Sequence, residues 1–519
     1  MDAQTSVVAI PAAVPAKSGR FALNLVSNVG QLALTMIVGA WYVPFLVRKL
    51  GPAAYGLIPL ASSITSYMAL ITLALNSAVG RYLTIALEQE DHRRANLIFN
   101  TSFWGSLGLT LLLLVPAGLG MVYLDRLIRM PAGFATQARW LFAGTTAAFL
   151  LNEIKTPFDV SSFCRNRFEL RNIVAISEVL ARVGLVVLLF YALAARISYV
   201  GLAIFSGTVV STFGALWLWR TLTPTLRVDP GKFSWGVLRE ITGTGWWVVV
   251  NHIGAILYLN VELLVANRLF GAEQGGRYGA VLQLPLLLRT VGSTIGAVFS
   301  PTVLYFFARK DLDGLMVYLA RAVKCLGLLL ALPISLMCGF SEPLLRLWLG
   351  PNFSGLHPLL FLMAAHLCIN VPILPLLGLQ LATNRVKVPA VVTMVMGIAN
   401  LGLALVLAEP LGWGLYGIAA AGAIMLTLKN VFFTPIYGAH VLGKPSWRFF
   451  RELALIVGVT LASVVTCWTL LRLMPIAGWG QLVVAGLAVS ALYGLVVYRF
   501  ILTDEERKMV RSIVPFSRG

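Results

Sequence analysis

Four cations interrupt stretches that are otherwise apolar: Arg81 in NSAVGRYLT, Lys155 in LLNEIKTPF, Arg182 in EVLARVGLV and Arg289 in LLLRTVGST. A charge inside a bilayer is costly, so an intramembrane cation is by default a functional candidate. A desolvated guanidinium binds phosphate through paired, charge-assisted hydrogen bonds. A cationic cavity built from these residues suits a pyrophosphate or an acidic sugar. Local pairing is the competing use. Glu153 stands two residues before Lys155, and Glu178 stands at i,i+4 to Arg182, on the same helix face. Arg81 lies near a span end, where a long side chain can snorkel to the interface. Arg289 has no acidic neighbour in sequence and is the strongest single candidate. Lys429 sits late in its span and is expected to snorkel.

Other chemistry is sparse. Of the carboxylates in apolar stretches, Glu153 and Glu178 are candidates for an ion pair or for a coupling proton or sodium ion. Asp159 lies near a span end, and Glu262 is expected near the outer surface, in contact with water. Asn28, Asn76 and Asn251 are candidate contacts for sugar hydroxyls. They, like Asn24, Gln31 and Asn370, can equally stitch helices together. His92, His252, His357, His366 and His440 are scattered, and no Walker loop or HExxH motif occurs. The five cysteines (164, 325, 338, 368 and 467) have no metal-ligand spacing and read as packing residues. The residues therefore predict no catalytic group, no metal and no cofactor.

The elements that position these residues must be membrane helices. The chain is 58% hydrophobic and only 12% charged, with mean hydropathy +0.84. Continuous apolar runs of about 20 residues predict helices rather than alternating barrel strands. Fourteen spans are expected, the first near 21–46 and the last near 478–500. The net charge of +19 reads as the cationic excess of cytoplasmic loops, not as a nucleic-acid surface. About 25 of the 40 Lys and Arg fall on the face that carries both termini, which predicts both termini in the cytoplasm. No separate cleavable signal is expected, the first span serving to target the chain.

The spans repeat. Asn166 and Arg167 align with Asn384 and Arg385 at an offset of 218, as do Gly184 and Leu185 with Gly402 and Leu403. Gly201 and Ala203 align with Gly417 and Ala419 at 216, and Tyr55 and Gly56 with Tyr278 and Gly279 at 223. Six spans per half leave both halves in the same orientation, a parallel repeat. The expected organisation is a tail (1–20), an N-lobe of six spans (21–228), a C-lobe of six (229–440), two extra spans (441–501) and an amphipathic cytoplasmic tail (502–519). That tail opens with a capping box, Thr503 and Glu506, followed by an apolar face of Leu502, Met509, Val510 and Ile513. Prolines 116, 285, 333, 372, 375 and 435 fall within spans and predict kinks.

The segments KLGPAAYGLIPL, NSAVGRYLT, FSEPLLRLWLGPNFSG, NRVKVPAVVTMVMGIANLGLALVL and GLYGIAAAGAI, spread over nearly the whole chain, resemble Wzx-like oligosaccharide flippases of the multidrug/oligosaccharidyl-lipid/polysaccharide (MOP) exporter superfamily. The resemblance implies an all-α MATE-like fold in a bacterial inner membrane. It implies translocation of a polyprenyl-pyrophosphate-linked oligosaccharide for surface or exopolysaccharide synthesis, such as O-antigen, with no enzymatic activity. By position, it makes Arg81, Lys155, Arg182 and Arg289 the counterparts of basic residues lining the family's cavity. The expected partners are the lipid-linked oligosaccharide and, as candidates, the polysaccharide polymerase and export machinery. Two alternatives remain open on the residues: a cation-coupled MATE-type multidrug or small-solute antiporter, and a membrane glycan ligase or polymerase. The first wants acidic cavity groups and the second a sizeable outer loop.

Overall fold

The computed structural model describes residues 18–243, 246–383 and 385–507. The N-terminal tail and residues 508–519, which carry Met509, Val510 and Ile513, lie outside the described residues. The first half comprises α1 (Ser18–Leu50), α2 (Pro52–Tyr55), α3 (Leu57–Glu88), α4 (His92–Val122), α5 (Leu124–Leu127), α6 (Ala135–Cys164), α7 (Phe168–Ala192) and α8 (Ile197–Leu222). A short α9 (Trp235–Gly243) leads to α10 (Trp246–Leu259), α11 (Val261–Ala297), α12 (Ser300–Ala308), α13 (Leu312–Gly339) and α14 (Ser341–Trp348). Then follow α15 (His357–Ala365), α16 (Leu367–Asn370), α17 (Pro375–Ala382), α18 (Lys387–Ala408), α19 (Gly414–Leu428), α20 (Thr434–Leu442), α21 (Trp447–Leu473) and α22 (Trp479–Val496). No strand occurs among the described residues.

Among the described residues, twelve segments are long and apolar enough to cross a membrane. The difference from the expected fourteen has two physical origins. One 63-residue segment, Trp246–Ala308, turns back on itself at Gly271, whose φ of 85° only glycine adopts without strain. The 30-residue α6 is long enough, but it carries Glu153, Lys155 and Asp159.

The repeat extends to backbone detail. At one turn Asp91 N–H donates to Ala86 O (3.0 Å), after Glu90 at φ 57°. At the other Asp311 N–H donates to Phe306 O (3.2 Å), after Lys310 at φ 58°. Each aspartate then caps its helix, accepting from Arg94 N (2.9 Å) or Gly314 N (2.8 Å). The offset is 220 residues, inside the range read from the spans.

We call the face carrying the start of α1 proximal and the opposite face distal. One hydrophobic core joins the halves distally, with Val43, Leu46, Tyr55 and Leu57 packed in the same cluster as Leu263, Ala266, Tyr278 and Val281. Proximally the first half has a separate core of Val79, Leu83, Phe99, Phe158 and Ala215, joined among the described residues by the linker residues Leu226 and Ile241 with their neighbours Val237 and Leu238. The two lobes thus share a core on the distal side and separate towards the proximal side.

The linker between them is fixed to the N-lobe. Asn96 accepts from Arg227 N (2.9 Å) and donates to Thr225 O (2.9 Å). One helical turn on, Asn100 accepts from Asp229 N (2.7 Å) and donates to Arg227 O (2.8 Å). Alternate linker residues meet successive turns of α4, so two side-chain amides replace a strand partner. Asn100→Ala is expected to leave the backbone groups of Arg227 and Asp229 without these partners and to lower stability by about 1–3 kcal/mol. Thermal unfolding of the purified variant measures this, and an unchanged Tm would refute it.

The C-terminal segment is clipped to α13. Thr503 N–H donates to Glu506 (2.8 Å) and Glu506 N–H to Thr503 Oγ1 (3.4 Å), the reciprocal capping pair. Glu506 also receives Lys324 Nζ (2.7 Å), which reaches Ile501 O (3.1 Å), while Arg321 meets Glu505 (2.7 Å). Burial pushes the Glu506 carboxyl up, but the bonds from Lys324 and Thr503 outweigh it and hold it below the usual glutamate range. A depressed carboxyl stabilises above its unfolded pKa, about 4.3, and that stabilisation is lost as pH falls through the folded value. Acidification of the wild type below about pH 4, or Glu506→Gln at neutral pH, is therefore expected to release the segment. Limited proteolysis after residue 501 reports the release; equal protection in the variant at neutral pH would count against the clip.

Candidate functional site

The four cations are placed very differently. Arg81 is exposed, near the proximal end of α3, with its guanidinium over the Tyr82 ring at 4.9 Å. Lys155 is buried in α6: its Nζ lies 3.5 Å from Asp159 and donates to Ser211 Oγ at 3.2 Å. The carboxylate one turn on, not the one two residues before, has the right direction on a helix. Glu153 is buried as well and is engaged in the surrounding structure. Asp159 also has Arg171 and Glu178 among its neighbouring charges.

Arg182 makes no ion pair with Glu178, despite the i,i+4 spacing. The backbone of α8 passes against this turn at Gly207, where an added Cβ would touch both Glu178 O and Arg182 Cβ. Arg182 is half-buried and close enough to Tyr42 to act on it electrostatically, and both its Nε and the Tyr42 hydroxyl are buried without a hydrogen-bond partner.

Arg289 on α11 faces a polar cluster inside the C-lobe. Glu262, Tyr278, Tyr258 and His366, the last just after α15, are close enough to interact with it electrostatically. Its Nε is buried without a partner. Glu262 corrects the expectation of a surface group. The helix breaks at Asn260 and continues as the first arm of α11, so Glu262 is buried at the break. It accepts from Tyr278 OH (2.7 Å), and the backbone of α19 at Gly422 lies directly against the carboxylate.

Lys429 is a second correction. It does not snorkel: it is buried, with Nζ 3.4 Å from Tyr258 OH. Residues Lys429–Phe433 form a π-helical turn. Pro435 cannot donate to the carbonyl one turn back, which favours such a turn, and π-turns recur at functional sites. Next to it a chain of polar groups crosses the lobe. Asn370 bonds His366 (2.7 Å) and Thr427 (3.2 Å), Asn430 donates to Asn370 (2.9 Å), and Thr434 donates to Asn430 (3.1 Å).

Asn28 accepts from Asn172 (2.7 Å) and Asn24 donates to Asn166 (3.1 Å), so these two amides join α1 to the α6–α7 region. Asn251 is half-buried on α10, and the side chain of Asn76 lies outside the described residues. Sequence reasoning missed Tyr42, Tyr258, Tyr278, Asn430 and Thr434. Two signals pointed to some of them: Tyr278 belongs to the repeated Tyr-Gly pair, and Asn430 and Thr434 stand at i,i+4. No group of three or more His, Cys, Asp or Glu that could hold a metal ion occurs among the described residues.

The distal seam is tightly made. Asn267 on α11 accepts from Arg129 N (2.9 Å) and donates to Arg129 O (3.1 Å), tying the second arm of the break to the loop after α5. Trp348 Nε1 donates to Ala40 O (2.6 Å). Gly276 lies against the Pro52 carbonyl so closely that a Cβ would overlap it, and Gly56, whose N–H donates to that same carbonyl, also packs directly against Gly276.

Long apolar helices in two lobes that share a core at one face, with Arg182 and Arg289 outside any ion pair among the described residues, define a multi-pass, all-helical membrane protein. The structure is similar to an inward-facing multidrug resistance MATE family transporter of the MOP superfamily (TM-score 0.64, 14% identity, 82% of this chain and 97% of that one). It is also similar to the lipid II flippase MurJ in an inward closed conformation (TM-score 0.60, 14% identity, 92% and 99%). In sequence, the chain is 33% identical to "Uncharacterized membrane protein EpsK" of Bacillus subtilis (strain 168), over 95% of this chain and 97% of that protein. It is 21% identical to "Putative O-antigen transporter" of Shigella flexneri, over 80% and 97%. Residues 24–305 match the polysaccharide biosynthesis protein family, and the chain belongs to that family.

Proposed function

We propose that this protein translocates a polyprenyl-pyrophosphate-linked oligosaccharide across a bacterial plasma membrane by alternating access, with both termini in the cytoplasm. The observation that carries this reading is a pair of guanidinium groups, Arg182 in one lobe and Arg289 in the other. Each has a buried Nε–H without an acceptor and no ion pair among the described residues. Orphaned charged donors await an acceptor with several oxygens, which a pyrophosphate supplies. In this orientation the distal face is periplasmic, and the lobes separate towards the cytoplasm, where the lipid-linked sugar is made. The headgroup enters between the lobes, Arg182 and Arg289 neutralise its phosphates, Arg81 attracts it at the cytoplasmic end, and the lipid tail stays in the bilayer. Lys155, already bonded to Asp159 and Ser211, holds α6 to α8 in this scheme. Rocking of the lobes then parts the distal seam. Membership of the family and the similarity to the Shigella "Putative O-antigen transporter" support this substrate class. Mass-spectrometric quantification of lipid-linked oligosaccharides in depleted cells tests it. Accumulation with loss of surface polymer is expected; an unchanged pool with confirmed depletion would remove the reading.

A further inference from the structure

A groove of about 480 Å³ runs along the membrane-facing seam between the lobes. Its walls come from three places: Tyr67 on α3, Ile256 and Leu257 on α10 with Leu264 on the following arm of α11, and Leu405 on α18. The lining is hydrocarbon apart from the Tyr67 phenol and a single cation, Arg268. Arg268 stands two residues before Phe270 at the distal end of that arm, is exposed, and has no carboxylate partner among the described residues. Beside the groove, Tyr67 OH donates to Asn260 O (3.1 Å), the carbonyl at the helix break. That bond crosses from one lobe to the other, so the width of the groove follows the angle between the lobes.

We infer that this groove holds the isoprenoid chain of the lipid carrier as it reaches the distal leaflet, with its phosphate on Arg268. The inference rests on the reading under Proposed function. An apolar trough is the environment a branched hydrocarbon prefers, and one unpaired guanidinium at its distal mouth complements a phosphate at the end of that chain. A bilayer phospholipid would find the same surface chemistry. The carrier is favoured because the groove straddles the moving seam, and because the arm of α11 that walls it is joined through the turn at Gly271 to the arm that carries Arg289. A head handled between the lobes and a chain lying along their seam are then two ends of one molecule.

The test uses the full-length protein in nanodiscs and a long-chain polyprenyl diphosphate bearing a photoreactive diazirine on its chain. Crosslinks are expected within residues 253–269, at Leu401 or at Leu405, and excess phosphatidylglycerol is expected to leave them. Arg268→Gln is expected to reduce crosslinking about tenfold, the loss of one charge-assisted contact. Leu257→Trp, which fills the trough, is expected to abolish it, and Leu257→Met, which preserves volume, to retain it at matched Tm. Binding of the probe with crosslinks elsewhere, or equal competition by phosphatidylglycerol, overturns the groove assignment and leaves the transport reading standing. Failure of the wild type to bind the probe at all overturns both.

Discussion

Arg289→Gln is expected to abolish polymer export while the protein remains in the membrane. Charge-assisted bonds are worth about 1.5–3 kcal/mol each, so losing one weakens pyrophosphate binding roughly ten- to hundredfold. Arg289→Lys keeps the charge but not the planar fork, and should retain only part of the export. Folding has to be separated from binding, because Arg289 also faces Glu262, a buried carboxylate whose one close donor is Tyr278. Removing one member of a buried charged group is costly, and removing both is much less so. The double variant Arg289→Gln, Glu262→Gln should therefore restore abundance without restoring export. Surface polymer, measured at matched protein level, decides the matter. Wild-type export from Arg289→Gln would discard the residue as a substrate contact, and recovery of export in the double variant would recast it as structural.

Gly276→Ala is expected to hold the distal seam open. The added methyl group would overlap the Pro52 carbonyl, and neither partner is a flexible side chain that could move aside. Overpacking of this kind costs about 1–3 kcal/mol. A lobe equilibrium carrying that penalty moves about five- to hundredfold towards the distal-open state. Ala54, buried in the distal core, serves as the reporter when changed to cysteine in a Cys325→Ser background, since Cys325 is the exposed native thiol. A membrane-impermeant maleimide added from the distal side should label Ala54→Cys faster in the Gly276→Ala variant, and export should fall. Labelling and export both at wild-type levels would mean that the glycine contact does not govern the seam. Asn267→Ala, which loses the paired bonds to Arg129, should act in the same direction with a smaller effect.

The residues most easily misread were those whose environment depends on where a helix breaks. Glu262 looks like a loop-proximal carboxylate on the assumption of one continuous span. The break at Asn260 adds a second arm beyond it, and the group is buried. Lys429 looks like a snorkelling residue on a regular helix. The π-turn before Pro435 turns it inward to Tyr258 instead. Pattern reading assumes one residue advances 100° around a helix, and both errors begin where that assumption fails.

Much else was set by amino-acid order alone. Long apolar runs exclude every solution but membrane helices, because backbone groups in lipid must be satisfied within their own segment. The repeat was legible because two copies of one unit keep the same residues at matching points, as at Tyr55-Gly56 and Tyr278-Gly279, where neither glycine has room for a larger side chain without displacing a neighbour. The intramembrane cations were legible because charge there is rare. Their roles were not. Lys155 chose Asp159 and Ser211, Arg182 declined Glu178, and Arg289 found Glu262, Tyr258, Tyr278 and His366 from other elements. Sequence spacing fixes which groups share a helix face. Which groups meet across helices depends on the packing of separate spans, and that is decided only in the tertiary structure.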